Sequence, residues 1–197
     1  MAQIEELENG SIIVNPTAEE KTSLFKLAMQ RCMPKRAKGI KQKFHAPQGQ
    51  IQSDYIGLLG EFAAAAYLRC LFDTSIHFTG DGGVDLQVGD YTVQVKSTFY
   101  KKGRLLYMPY ARFNADYDVL AIVNHSTGEV KLVGWCTRDT VMRNRKLKDL
   151  GHGKRYVVER KHLRKMSTLH IPHVYDDPSS QLMTWKEEEM KANVTSD

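Results

Sequence analysis

Thiol chemistry has little footing in this chain, which holds three cysteines, Cys32, Cys70 and Cys136. Their count is odd, their spacing is wide and no two form a C-x-x-C pair, so the pattern offers no zinc knuckle. Cys70 and Cys136 lie in apolar stretches and read as buried free thiols, which suits a reducing cytoplasm. No apolar run approaches the length of a membrane span. The opening MAQIEELENGS is acidic and lacks the basic-then-apolar order of a signal peptide, so the expected location is cytoplasmic. No internal repeat is present. His125, His152, His162, His170 and His173 have no metal-like spacing with one another, and His77 beside Phe78 reads as structural.

What remains is an ordinary globular composition, with 42% apolar and 26% charged residues. A chain of 197 residues fits one domain with a real hydrophobic core. The formal charge of +5 and the pI of ≈ 9.0 lean toward an anionic partner.

Residues 1–16 read as a loosely held lead with a short strand at 11–14. Thr17 followed by Glu20 has capping-box spacing, and Leu24, Leu27, Ala28 and Met29 stripe the helix it opens, to about Met33. Residues 34–50 are basic, with Lys35, Arg36, Lys38, Lys41, Lys43 and His45 and no helical stripe, and read either as a solvated linker or as a phosphate-contacting arm. A second helix is expected from Asp54 through the run DYIGLLGEFAAAAYLRCLF. Glu61 lies two turns after Asp54 on nearly the same side. Strands are expected at 76–79, 84–88, Tyr91–Thr98, 118–124, Val130–Thr137 and 156–158. The run DVLAIVN has the continuous apolar character of a strand buried on both faces. Thr137 or Asp139 is expected to cap a helix running to about Lys148, and residues 161–165 form a short basic helix or turn. From Pro172 the chain is a polar tail, with a helix expected at 185–192. The order of elements predicts one α/β domain over residues 17–171, a sandwich whose mixed sheet of about five strands is flanked by helices.

The stretch GDGGVDLQVGDYTVQVKST, residues 80–98, contains a hairpin whose register follows from its turn. With Gly89-Asp90 as a two-residue turn, Val88 faces Tyr91, Leu86 faces Val93 and Val84 faces Val95. All of these are apolar or aromatic. The other side pairs Gln87 with Thr92 and Asp85 with Gln94, with Lys96 one pleat further along. Opposed Cβ atoms stand about 5 Å apart, a span over which an Asp and a Gln oxygen bind one small cation. Mg²⁺ takes such oxygen ligands, and the Val95 carbonyl is a plausible third. Lys96 on that side would orient a water or stabilise a phosphoryl oxygen. The alternative is an amphipathic hairpin whose polar side simply meets water. Asp81 reads as shaping the glycine-rich turn before Asp85.

Asp85 followed by Gln94-Val95-Lys96, with an upstream helix carrying Glu61 in GEFAAAAYL, resembles the core motif of the PD-(D/E)XK nuclease superfamily. The resemblance spans roughly residues 54–137 and implies a restriction-endonuclease-like three-layer sandwich, a central mixed sheet with helices on both faces. It implies Asp85 as the principal metal ligand, Gln94 in place of the usual acidic ligand, Lys96 as the catalytic lysine, and Glu61 reaching the site from its helix. Val84 stands where the superfamily often has Pro, and Gln94 brings no charge, so the negative charge of the site rests on Glu61 and Asp85. The implied activity is Mg²⁺-dependent hydrolysis of DNA phosphodiester bonds, with Mn²⁺ as substitute metal, endonuclease action as the favoured form and a 5′-phosphate on the product. Many such nucleases act as dimers, so a homodimer accords with the resemblance.

Lys35, Arg36, Lys41, Lys43, Lys101, Lys102 and Arg104 are the candidate contacts to nucleic acid, joined by the basic runs 143–148 and 154–165. Two other readings use the same residues: a DNA-binding module without cleavage, which the Gln94 substitution allows, and a nuclease acting on RNA or branched DNA. Glu61 also has an ordinary reading, as a surface residue of an amphipathic helix.

Overall fold

The computed structural model describes residues 1–37, 49–74, 83–151 and 153–171, and for 33–37 the backbone alone. The expected strand at 76–79, His77, Asp81, Lys38, Lys41, Lys43, His45 and the tail 172–197 lie outside those residues.

The capping box forms as its spacing predicts. Thr17 N–H donates to Glu20 Oε2 at 2.7 Å, and Glu20 N–H donates to Thr17 Oγ1 at 3.2 Å. Helix α1, Ala18–Ala37, follows, burying Leu24, Leu27, Ala28 and Cys32. It runs past Pro34, where the basic loop was expected to begin. The proline removes one ladder donor, but the turn persists to Ala37. Helix α2, Gly49–Leu68, starts upstream of Asp54, because Gln50 Nε2 donates to Asp54 Oδ1 at 2.6 Å one turn on and ties the first turn together. It ends before the apolar run does. Arg69 adopts φ +53°, and Cys70 N–H reaches back to the Ala65 carbonyl at 3.1 Å, the six-residue closure of a Schellman motif.

A seven-stranded sheet packs under these helices. It contains β1 (Gln3–Glu6), β2 (Ile12–Asn15), β3 (Leu86–Val88), β4 (Tyr91–Thr98), β6 (Tyr117–Val123), β7 (Val130–Thr137) and β10 (Arg164–Lys165). The order is β1-β2-β7-β6-β4-β3, with β10 also pairing with β7. The β4–β6 pair is parallel and the others are antiparallel, so the sheet is mixed, as expected. It is larger than the expected five strands because the lead supplies β1 and β2, with Ile12 and Val14 buried, and the basic segment supplies β10. Central β6 is buried along nearly its whole length, matching its continuous apolar run.

Three further strands form a second sheet of order β5-β9-β8, namely β5 (Leu105–Tyr107), β8 (Lys146–Asp149) and β9 (Lys154–Val158). Helix α3, Arg138–Asn144, precedes it, and its cap is Thr137, whose Oγ1 accepts from Thr140 N–H at 3.3 Å. The helix stops short of Lys148. Arg145 leaves it to lie 4.5 Å from the Phe113 ring centroid and 4.8 Å from that of Tyr156, and this leads the chain into β8.

Helix α2 covers one face of the large sheet, sharing a core with Val93, Val95, Val119 and Ala121, and α1 packs on α2. On the other face Leu120, Cys136 and Val141 pack with Leu105, Tyr107 and Val158. The second face is therefore covered chiefly by β-strands and the short α3, not by the helical layer that the resemblance implies. The molecule is a mixed α/β fold compatible with three layers. Cys32 and Cys136 are buried and Cys70 is half-buried, all as free thiols. Burial pushes the Cys70 and Cys136 thiols up to about 12. Among the described residues no helix is long and apolar enough to cross a membrane.

Candidate active site

The hairpin adopts the expected register over its ladder, pairing Val88 with Tyr91, Gln87 with Thr92 and Leu86 with Val93. Gly89 has φ +56°, as its place at the head of the turn requires. The ladder is shorter than expected. Asp85 N–H donates to the Val93 carbonyl at 2.9 Å, although Val93 is already the partner of Leu86. Two residues set against one is the count of a β-bulge, a feature that re-aims side chains at sheet edges. The expected pairs Asp85–Gln94 and Val84–Val95 thus fall outside the ladder.

The Asp85 side chain takes over where the strand stops. Its Oδ2 accepts the Val95 N–H at 2.6 Å, filling the place of a ladder carbonyl. N–H and C=O of one strand residue point to the same edge, so the Val95 carbonyl faces the edge on which Asp85 sits. Among the described residues β3 is terminal in the sheet, and Asp85 lies just before its first residue. Asp85 and the Val95 carbonyl are thereby brought together by a side chain-to-backbone bond that alternation does not foresee.

Gln94 and Lys96 project to the face opposite α2, and that face does not simply meet water. Gln94 is only 6% exposed, and a Cβ built on Gly83 would stand 3.0 Å from its Nε2. Lys96 is half-buried, with Nζ 5.6 Å from the centroid of the Tyr107 ring. Beside Gln94 in parallel register is Asp118 of β6, only 4% exposed. The Tyr107 hydroxyl donates to Asp118 Oδ1 at 2.8 Å. Burial pushes the Asp118 carboxyl up to about 6, against the pull of the Tyr107 hydrogen bond and of the Lys96 and Arg138 charges. Burial and the neighbouring Asp118 charge raise the Tyr107 phenol far above its ordinary value, so it remains a donor.

Sequence reading passed over both residues. Tyr107 sits in a strand of three residues with no pattern to mark it. Asp118 left a signal, a carboxylate leading a strand that is otherwise continuously apolar.

Glu61 projects from the middle of α2, half-buried, with Oε2 3.8 Å from Arg31 NH1 on α1. One turn earlier the Gly57 carbonyl accepts from Ser97 Oγ at 3.4 Å, so this part of α2 lies over the end of the motif strand. Gly60 makes the approach close, since a methyl group there would run into Ser97 Oγ and stand 3.1 Å from Ala121 Cβ. The donors offered by Asp85, Glu61, Gln94 and the Val95 carbonyl are all oxygen, which suits a hard divalent cation, but the structure places Glu61 on the α2 side of the sheet and Gln94 on the opposite side, so it brings only Asp85 and the Val95 carbonyl together. Among the described residues no three His, Cys, Asp or Glu side chains gather as a metal cage, so an amide and a backbone carbonyl would have to complete the set.

Of the candidate nucleic-acid contacts, Lys35 and Arg36 lie in the last turn of α1, and Lys101 and Lys102 are exposed just after β4. Arg104 NH1 reaches Glu159 Oε1 at 2.9 Å, and Lys148 Nζ reaches the same oxygen at 2.7 Å. These two partners, Lys148 first, hold the Glu159 carboxyl below its usual range. Arg160 donates to the Gly103 and Lys101 carbonyls, each at 2.6 Å, and so straps the basic turn to the start of the 3-10 turn at Arg160–His162. Lys102, Arg104, Glu159, Arg160 and Lys161 line a cleft of ≈ 490 Å³, four basic side chains against one carboxylate.

Comparison with protein-family models, curated proteins and solved structures gives no match to this chain.

Proposed function

We propose that this protein is a metal-dependent nuclease that hydrolyses DNA phosphodiester bonds, in the manner of the PD-(D/E)XK superfamily. The observation that supports it most is the Asp85–Val95 hydrogen bond of 2.6 Å just before the start of β3. It sets a carboxylate and the carbonyl edge of β4 side by side, in the strand that also carries Gln94 and Lys96. Asp85 and the Val95 carbonyl would hold Mg²⁺, or Mn²⁺ in its place, and Glu61 and Gln94, which lie on opposite faces of the sheet, would both have to turn to its edge to join them. When bound, such a cation offsets charge on the phosphoryl oxygens and acidifies water.

The residues of the chain supply the rest. Among the described residues the Lys96 ammonium makes neither a hydrogen bond nor an ion pair, so its donors are available to orient a water or a phosphoryl oxygen. Lys101, Lys102 and the basic cleft lie just beyond the end of the same strand and would grip the phosphate backbone without reading sequence. A second copy of the chain would supply the second cut of a duplex.

A second reading rests on Gln94, which is buried and brings no charge where a carboxylate is usual. On that reading the chain binds DNA and leaves it intact. The test is incubation of supercoiled plasmid, linear duplex and single-stranded RNA with Mg²⁺, Mn²⁺ or EDTA. Nicking or digestion of DNA that requires the metal supports the nuclease. Salt-sensitive DNA binding in EDTA with no cleavage in either metal supports the binding module instead. Digestion of RNA alone would reassign the substrate.

A further inference from the structure

Asp118 is a carboxylate of β6 buried between the large sheet and the small one, and the site described above does not use it. A buried carboxylate is costly unless it is paired and hydrogen-bonded. Two cations bear on it, Lys96 and Arg138. Arg138 is already committed, donating to the Ala115 carbonyl at 3.1 Å, the Asn114 carbonyl at 2.6 Å and Asp116 Oδ1 at 2.9 Å. Lys96 is not committed in this way. In the parallel register Lys96 stands beside Leu120 and Gln94 beside Asp118, so all four side chains share one face. Over that face lies Tyr107, its hydroxyl on Asp118 Oδ1 and its ring 5.6 Å from Lys96 Nζ. A phenol that donates to a carboxylate has a more electron-rich ring, and an electron-rich ring attracts an ammonium more strongly.

We propose that Asp118 and Tyr107 form a positioning pair for Lys96, holding its ammonium above the Tyr107 ring with its N–H donors still unengaged. The charge of Asp118 and the ring of Tyr107 fix where the ammonium sits, yet neither takes a hydrogen bond from it. A lysine paired directly with a carboxylate would be just as well placed but less able to donate to a substrate. The role of Lys96 toward a phosphoryl oxygen rests on the nuclease reading, whereas its placement by Asp118 and Tyr107 does not.

The test is competitive amine labelling of the full chain, read by mass spectrometry as the rate at Lys96 relative to exposed Lys26. Asp118→Asn keeps the shape and removes the charge, and Tyr107→Phe keeps the ring and removes the hydroxyl. The expected result is Lys96 labelling roughly fivefold faster in Asp118→Asn, with a smaller rise in Tyr107→Phe. An unchanged Lys96 rate in both folded variants overturns the proposal. Kinetics on plasmid DNA give the second readout, with kcat expected to fall roughly tenfold or more and KM to stay within about twofold. Loss confined to KM, or shared equally with thermal stability, marks a merely structural role and counts against the pair. If the wild-type chain cleaves no DNA with either metal, the nuclease reading fails by itself, and the labelling rates still decide the placement of Lys96.

Discussion

Asp118 and Asp85 show how the same side chain acquires opposite roles from its surroundings. Asp85 accepts a backbone N–H at a sheet edge, whereas Asp118 lies under Tyr107 with its carboxyl at about 6. An unfolded carboxyl titrates near about 3.9, below the folded value. Between about pH 4 and pH 6 the unfolded chain therefore releases this proton first, and folding stability falls as pH rises, by about 3 kcal/mol in all. Asp118→Asn should remove that slope. The variant is expected to match the wild type near pH 4 and to exceed it in Tm at pH 8. The measurement is thermal unfolding at both pH values, taken as a difference between the two proteins. That difference cancels the opposite trend of Asp116 and Glu159, whose lowered carboxyls lose stabilisation as pH falls. An equal gain at pH 4 and pH 8 would refute the assignment. A buried charge that lowers stability at neutral pH is the pattern of a functional residue. None of this was legible in the sequence beyond the isolated charge at the head of DVLAIVN, because the partner hydroxyl comes from a different strand.

Elements were legible where their determinants are local. The capping box at Thr17, the cap at Thr137 and the register around Gly89-Asp90 each follow from residues a few positions apart. The bulge at Asp85 depends on a side chain finding the Val95 N–H across the hairpin, and alternation alone extends the strand through it. Strands β5 and β8 escaped notice because one has three residues and the other, KLKD, lacks an apolar alternation. Two element-level outcomes follow from the geometry of α2. Arg69 holds a left-handed φ that costs an ordinary residue about 1 kcal/mol, so Arg69→Gly is expected to raise Tm by about 2–4 °C. No change in a melting curve would mean that the closure after Leu68 is not strained. Gly60→Ala should act in the other direction, despite the better helix propensity of alanine. The added methyl group meets Ser97 and Ala121, an overpacking expected to cost about 1–3 kcal/mol. Adding Ser97→Gly should recover part of that loss in the same denaturant titration, and no recovery would place the clash elsewhere.

At the scale of the whole molecule, the mixed sheet separates two environments. Helix α2, with α1 packed on it, covers its apolar face and sets Gly57 against Ser97 near the end of β4, while the small sheet and α3 cover the face that holds Gln94, Lys96 and Asp118. The basic turn 101–104 leaves the same strand and is strapped to Arg160, so strand and cleft are mechanically continuous. The α/β class and the mixed sheet were readable from the order of elements. The β-rich second layer was not, because β5 lies far along the chain from the β8–β9 hairpin that it pairs with, and KLKD shows no apolar alternation.

The most direct measurement is single-turnover cleavage of plasmid DNA in Mg²⁺ by the wild type, Asp85→Ala and Lys96→Ala, with binding to the same DNA followed in EDTA. The wild type is expected to cleave at least about 100-fold faster than either variant, with binding changed far less. Cleavage that survives both substitutions, or that proceeds in EDTA, would contradict the proposed site.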